Sequence, residues 1–218
     1  MAHRLELIVF DWDGTLMDST AAIAQAIQAG ARDMGLAAPS DAAARHVIGL
    51  GLRDALAQAV PALPPERYGE MAERYRHHYL SNSRSLQLFE GIPELLRELK
   101  SRGHYLAVAT GKSRRGLDEV LARSGLHALM DATRCADECF PKPHPQMLEE
   151  LLDEFGVSPG AAVMIGDTTH DLQMAKNAGV GAVAVSYGAH EPAALAAEQP
   201  DAYCNTVEEL SLWLCQNA

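Results

Sequence analysis

Two aspartates one residue apart close a short apolar run near the start of the chain: LIVF at 7–10 is followed by Asp11, Trp12, Asp13 and Gly14. Such a run predicts a strand, and alternation along a strand sends residues i and i+2 to the same side. Two like charges then share one patch, which costs free energy unless a cation lies between them or one carboxyl keeps its proton. The pattern points to a metal site or to an acid/base pair. Gly14 lets the chain turn directly afterwards.

Two further strand-like runs end in polar groups. HYLAVAT ends in Thr110, with Gly111 and Lys112 next, and AAVMIGD ends in Asp167, with Asp171 four residues on. Ligands of open α/β sheets sit beyond the carboxyl ends of the strands, so Asp11, Asp13, Thr110 and Asp167 are expected to converge on one crevice. In FPKPHP, Lys142 stands between Pro141 and Pro143 with no helical backbone on either immediate side, which suits a lysine fixed on a loop over such a site.

The elements that position these residues fall into two blocks. From Ser19 to about Tyr79 the chain reads as successive helices. Ser19 or Thr20 is expected to cap the first and Ser40 the second; a third spans Arg53 to Val60, and Pro64 or Pro65 opens a fourth. From Phe89 onward helices alternate with short apolar strands, the pattern of a parallel sheet with helices on both faces. The expected fold is α/β, a Rossmann-like parallel sheet core with an all-helical segment inserted after the first strand. Residues 1–15 and 87–218 are assigned to the core, and 16–86 to the helical insert.

The chain has 218 residues, 48% of them hydrophobic, enough for a sizeable core in one or two domains. Its formal net charge of -11 disfavours nucleic acid and anionic membrane surfaces as partners, both of which select for basic patches. It also repels phosphates globally, so an anionic ligand needs a local cation. No apolar run suits a signal peptide or membrane span, and the four cysteines form no dense framework, so a cytoplasmic protein is expected. Cys135 and Cys139 form a CxxxC pair without a second close pair of Cys or His ligands, and are read as thiols rather than a zinc site.

Taken in order, DWDGTL, ATGK, FPKP and GDTTHD resemble the four motifs of the haloacid dehalogenase superfamily, and the resemblance covers nearly the whole chain. It is to members with a helical C1-type cap, phosphoglycolate phosphatases above all. The resemblance implies a magnesium-dependent phosphatase acting on a small phosphorylated metabolite through an aspartyl-phosphate, as a monomer or homodimer. By motif position, Asp11 is then the nucleophile and Asp13 the general acid and base, while Thr110 and Lys142 hold the phosphoryl oxygens. Mg2+ is held by the Asp11 side chain, the Asp13 backbone carbonyl and Asp167, with Asp171 nearby. A phosphomutase of the β-phosphoglucomutase type also needs both Asp11 and Asp13. A phosphate-sensing receiver module gains nothing from Asp13.

Other positions have competing readings. Gly111 replaces the asparagine that many relatives carry after the motif's threonine, at a substrate-binding position. Arg53 follows the IGLG loop, where capped relatives present substrate-selecting residues, and a guanidinium there suits a carboxylate or second phosphate; the alternative is a solvated helix-start arginine. Trp12 is expected in the core and His77 and His78 on solvated helix surface, while His144 and His170 stay open between site and solvent.

Overall fold

The computed structural model describes residues 5–83 and 86–218. The first apolar run is β1 (Leu7–Phe10), with all four residues buried. Four helices follow: α1 (Thr20–Asp33), α2 (Asp41–His46), α3 (Leu52–Ala59) and α4 (Tyr68–Ser83), with a 3-10 turn at Pro65–Arg67 before the last. Ser40 caps α2 as expected, its hydroxyl accepting from the Ala43 N–H. Ser19 occupies the N-cap position of α1 but makes no side-chain cap; its hydroxyl donates to Asp13 Oδ1 at 2.6 Å instead. A charge-assisted bond to a carboxylate outweighs one to a neutral backbone group.

Helices and strands then alternate through α5 (Ile92–Ser101), β2 (Tyr105–Thr110), α6 (Arg114–Ser124), β3 (Ala132–Cys135), α7 (Gln146–Phe155), β4 (Ala162–Gly166), α8 (Thr169–Ala178), β5 (Gly181–Val185), α9 (Pro192–Ala197), β6 (Ala202–Cys204) and α10 (Val207–Asn217). Among the described residues, six strands form one parallel sheet in the order β3-β2-β1-β4-β5-β6. The α/β expectation therefore holds. The edge strands β3 and β6 and helix α9 go beyond the sequence reading. ATRC and AYC are short and only partly buried, so neither carries the apolar run that marks a central strand.

Period-two alternation sorts the core into two layers. Ile8, Phe10, Leu106, Val108 and Ile165 pack with Leu96 of α5, Leu117 of α6 and Leu210 of α10, and Trp12 is buried in this layer. Leu7, Val9, Ala107, Ala109 and Met164 pack instead with Leu148 and Leu151 of α7 and Met174 of α8. A one-residue slip of β1 would exchange these sets and misplace Asp11 with them. The inserted helices build their own apolar cluster around Ile23, Ile27, Leu56 and Met71. Where the chain leaves and rejoins the sheet, Met17 bridges Leu88 and the Asp18 N–H donates to Gln87 O at 3.0 Å.

The chain steps outward from β1 to β3, then returns to lay β4 beside β1. That switch lies at the carboxyl ends of β1 and β4, the place where open α/β sheets bind their ligands. No described helix is long and apolar enough to cross a membrane. Residues 1–4 of the expected core, and 84 and 85 near the end of the expected insert, lie outside the described residues.

Candidate active site

Asp11 follows β1 directly, and its N–H donates to Ile165 O of β4 at 2.9 Å, which sets the carboxylate at the switch point. Asp167 follows β4, Thr110 ends β2, and Lys142 comes from the loop between β3 and α7. All four are at most 2% exposed. The structure thus brings together side chains from two strand ends and one loop, with Thr110 buried at the end of the neighbouring strand.

Lys142 Nζ donates to Asp11 Oδ1 at 2.8 Å and to Asp171 Oδ1 at 2.6 Å. The other Asp171 oxygen accepts from the Thr168 hydroxyl at 2.6 Å and the Thr168 N–H at 3.1 Å, a capping box that starts α8. Asp167 Oδ1 accepts from the Thr15 hydroxyl at 2.8 Å and its Oδ2 from the Ala189 N–H at 2.7 Å. Gly14 and Gly188 flank Asp167 so closely that a Cβ at either would overlap its carboxylate. Thr110 accepts from the Lys112 N–H at 3.2 Å.

Charge dominates this cluster. Burial pushes Asp11 up to about 7; Lys142 opposes the rise, while Asp171 and Asp13 add to it. Burial, then the charges of Asp11 and Asp171, raise Asp167 well above the usual carboxylate range. Burial alone would lower Lys142, yet the facing charges of Asp11 and Asp171 outweigh it and hold the ammonium charged. Oxygens of Asp11, Asp167 and Asp171 lie within 4.8 Å of one another, and Asp11 Oδ2 is buried without a hydrogen-bond partner among the described residues. Three buried acids against one ammonium, with an unfilled oxygen, suit a hard divalent cation.

Asp13 stands outside that cluster. Its carboxylate meets Ser19 and Lys112, whose Nζ lies 3.0 Å from Oδ2. The inserted helices reach the same region. His170 Nε2 and His190 Nε2 lie 2.9 Å and 3.0 Å from His46 O, and a Cβ on Gly111 would stand 2.5 Å from both Gly49 O and Leu50 O. The glycine that departs from the motif is therefore the residue the IGLG loop packs against. His170, left open by its sequence, is buried at this junction, whereas His144 is exposed against Phe140. His77 is exposed, and His78 pairs with Asp33 at 2.7 Å, as expected of helix surface.

Arg53 is exposed, with its guanidinium 5.7 Å from the centre of the Tyr68 ring. Among the described contacts it does not join the aspartate cluster. Sequence reasoning also passed over Thr15, Thr168 and the Ala189 N–H, and read Ser19 as a helix cap rather than a partner of Asp13. Only Thr168 had a local signal, since T-x-x-D before an apolar run marks a capping box; the others serve carboxylates brought to them by the fold.

A family model described as haloacid dehalogenase-like hydrolase matches residues 8–185. The chain is 36% identical over 211 residues to the probable phosphatase IndB of Dickeya dadantii, covering 94% of this chain and 91% of that one. It is 32% identical to the phosphoglycolate phosphatase of Vibrio cholerae, covering 90% and 91%. The crystal structure of a "predicted phosphoglycolate phosphatase" from Haemophilus somnus superposes with a TM-score of 0.86 at 27% identity, covering 97% and 98%.

Proposed function

This chain belongs to the haloacid dehalogenase-like hydrolases, and on that premise we propose that it is a magnesium-dependent phosphatase for a small phosphorylated metabolite, phosphoglycolate-like in size and charge. The observation that carries the reading is the Asp11 carboxylate: buried at the switch point, one oxygen held by Lys142 and the other unpartnered. A carboxylate so placed is oriented to attack, and its free oxygen faces no competing donor.

Asp11, Asp167 and the Asp13 backbone carbonyl would hold Mg2+, with Asp171 beside them. Bound there, the ion neutralises phosphate charge that would otherwise repel a carboxylate nucleophile. An Asp11 oxygen bonds to phosphorus as the bond from phosphorus to the alcohol oxygen breaks, and Asp13 gives that oxygen a proton. The carboxylate of Asp13 then takes a proton from water as the water oxygen attacks phosphorus, freeing phosphate and restoring Asp11. Thr110 and Lys142 hold the phosphoryl oxygens. Asp171 keeps Lys142 directed at Asp11, and both of its oxygens already have donors.

Residues 16–86 act as a cap over residues 1–15 and 87–218 in a cytoplasmic enzyme, and the substrate is selected by Arg53 of the cap together with Gly111 of the core. The test is phosphate release from a panel of phosphorylated metabolites by the purified chain, in magnesium, in chelator, and with magnesium restored. Hydrolysis that follows the metal is expected, with small anionic esters foremost. Full activity after exhaustive chelation, or no phosphate from any ester, would overturn the proposal.

A further inference from the structure

Lys112 is an ammonium shared between two parts of the molecule. Its Nζ lies 3.0 Å from Asp13 Oδ2, and both side chains are only 10% exposed. The same Nζ donates to the Tyr79 hydroxyl at 3.2 Å and stands 4.9 Å from the centre of that ring. Tyr79 stacks on Tyr75, and both lie on α4, which packs mainly on α1 within the inserted helices. One cation thus joins an acid just past β1 to a phenol on the insert.

We infer that Lys112 is a positioning residue for Asp13, and that Tyr79 completes its grip when the inserted helices lie over the sheet. This rests on the phosphatase reading, in which Asp13 protonates the leaving oxygen. A buried ammonium that has lost its water needs acceptors in exchange. Asp13 supplies the charge, and Tyr79 supplies a hydroxyl oxygen and a ring face. Burial keeps the Tyr79 phenol above its ordinary value, so it remains a neutral hydroxyl. Burial, the largest single effect, pulls Lys112 down; Asp13, by charge and hydrogen bond, and the two tyrosines together outweigh it and hold the lysine charged.

With Ser19 on one oxygen and Lys112 on the other, the plane of the Asp13 carboxylate is fixed from both sides. Proton transfer needs the acid oxygen within hydrogen-bond reach of the oxygen it protonates, so a freely turning carboxylate loses rate. With the inserted helices withdrawn, Tyr79 no longer draws Nζ to this spot, and Asp13 loses a partner on Oδ2.

A purely structural ion pair would hold the loop without touching the chemistry, and leaving-group dependence separates the two roles. An alkoxide needs a proton as it departs, whereas p-nitrophenolate leaves without one. The measurement is kcat/KM in magnesium for an alkyl phosphate and for p-nitrophenyl phosphate; it ends at departure of the first leaving group, so hydrolysis of the aspartyl-phosphate does not enter. Lys112→Met is expected to lower the alkyl value roughly 10- to 100-fold more than the aryl value, within the range general acid catalysis supplies. Tyr79→Phe, which keeps the ring, should move the ratio in the same direction by less. Equal losses on both esters, or no loss on the alkyl ester, would overturn the positioning role. If Lys112→Met does not fold by circular dichroism, Lys112→Gln and Tyr79→Phe decide the same comparison. Wild-type protein that hydrolyses neither ester would instead overturn the phosphatase reading.

Discussion

Replacing Gly111 by alanine tests whether the close seating of the IGLG loop on the motif strand matters for function. The added Cβ would stand 2.5 Å from Gly49 O and Leu50 O, where ordinary contact begins at 3.4 Å, so backbone must retreat by about 0.9 Å. Neither obstacle is the end of a flexible side chain. If the inserted loop yields, it strains the two hydrogen bonds that His170 and His190 make to His46 O, each contributing about 0.5–1.5 kcal/mol. If the core yields, overpacking costs about 1–3 kcal/mol. Both routes give a similar figure, but the readouts differ. A yielding loop lowers the equilibrium constant for seating it by roughly 5- to 150-fold, so kcat/KM falls as the unseated form becomes populated and amide exchange in residues 46–51 speeds. A yielding core lowers the urea midpoint. Wild-type kcat/KM, loop exchange and urea midpoint together would refute the packing argument.

The metal-free carboxylate cluster should make stability depend on pH. Asp11 is raised from its ordinary 3.8 to about 7, so its contribution is fully present below about pH 4 and is lost as pH rises through 7. Urea midpoints in chelator should therefore fall between pH 5 and pH 7, with Asp11→Asn flattening the decline, raising the midpoint at pH 7 and abolishing turnover; an identical decline in the variant would remove Asp11 as its source. Arg53→Ala should lower kcat/KM for the best anionic ester by about 1.5–3 kcal/mol of transition-state binding and affect p-nitrophenyl phosphate far less. Unchanged kinetics on both would leave Arg53 as the exposed partner of Tyr68.

What could be read from the chain was chemistry fixed by local pattern. Strand runs ending in Asp11, Thr110 and Asp167 placed those residues at one end of a parallel sheet, because strand direction follows from right-handed crossover connections and side-chain direction from a period of two. The helical insert was equally legible, through 3.6-residue periodicity and caps such as Ser40. The edge strands were not, since a strand of three or four partly buried residues is specified by the neighbour it pairs with.

Tertiary structure alone decided the partners of the charges. Thr15 meets Asp167 across 152 positions of sequence, Lys142 reaches Asp11 across 131, and Ser19 serves an acid where its position suggested a helix cap. Gly111 reads as a missing amide until the Gly49 and Leu50 carbonyls are seen to fill its space. Lys112 reads as part of a motif until Asp13 and Tyr79 converge on it. A sequence pattern reports a residue's own backbone and periodicity, whereas desolvation and charge pairing depend on what lies within a few ångströms in space, and folding alone sets those neighbours.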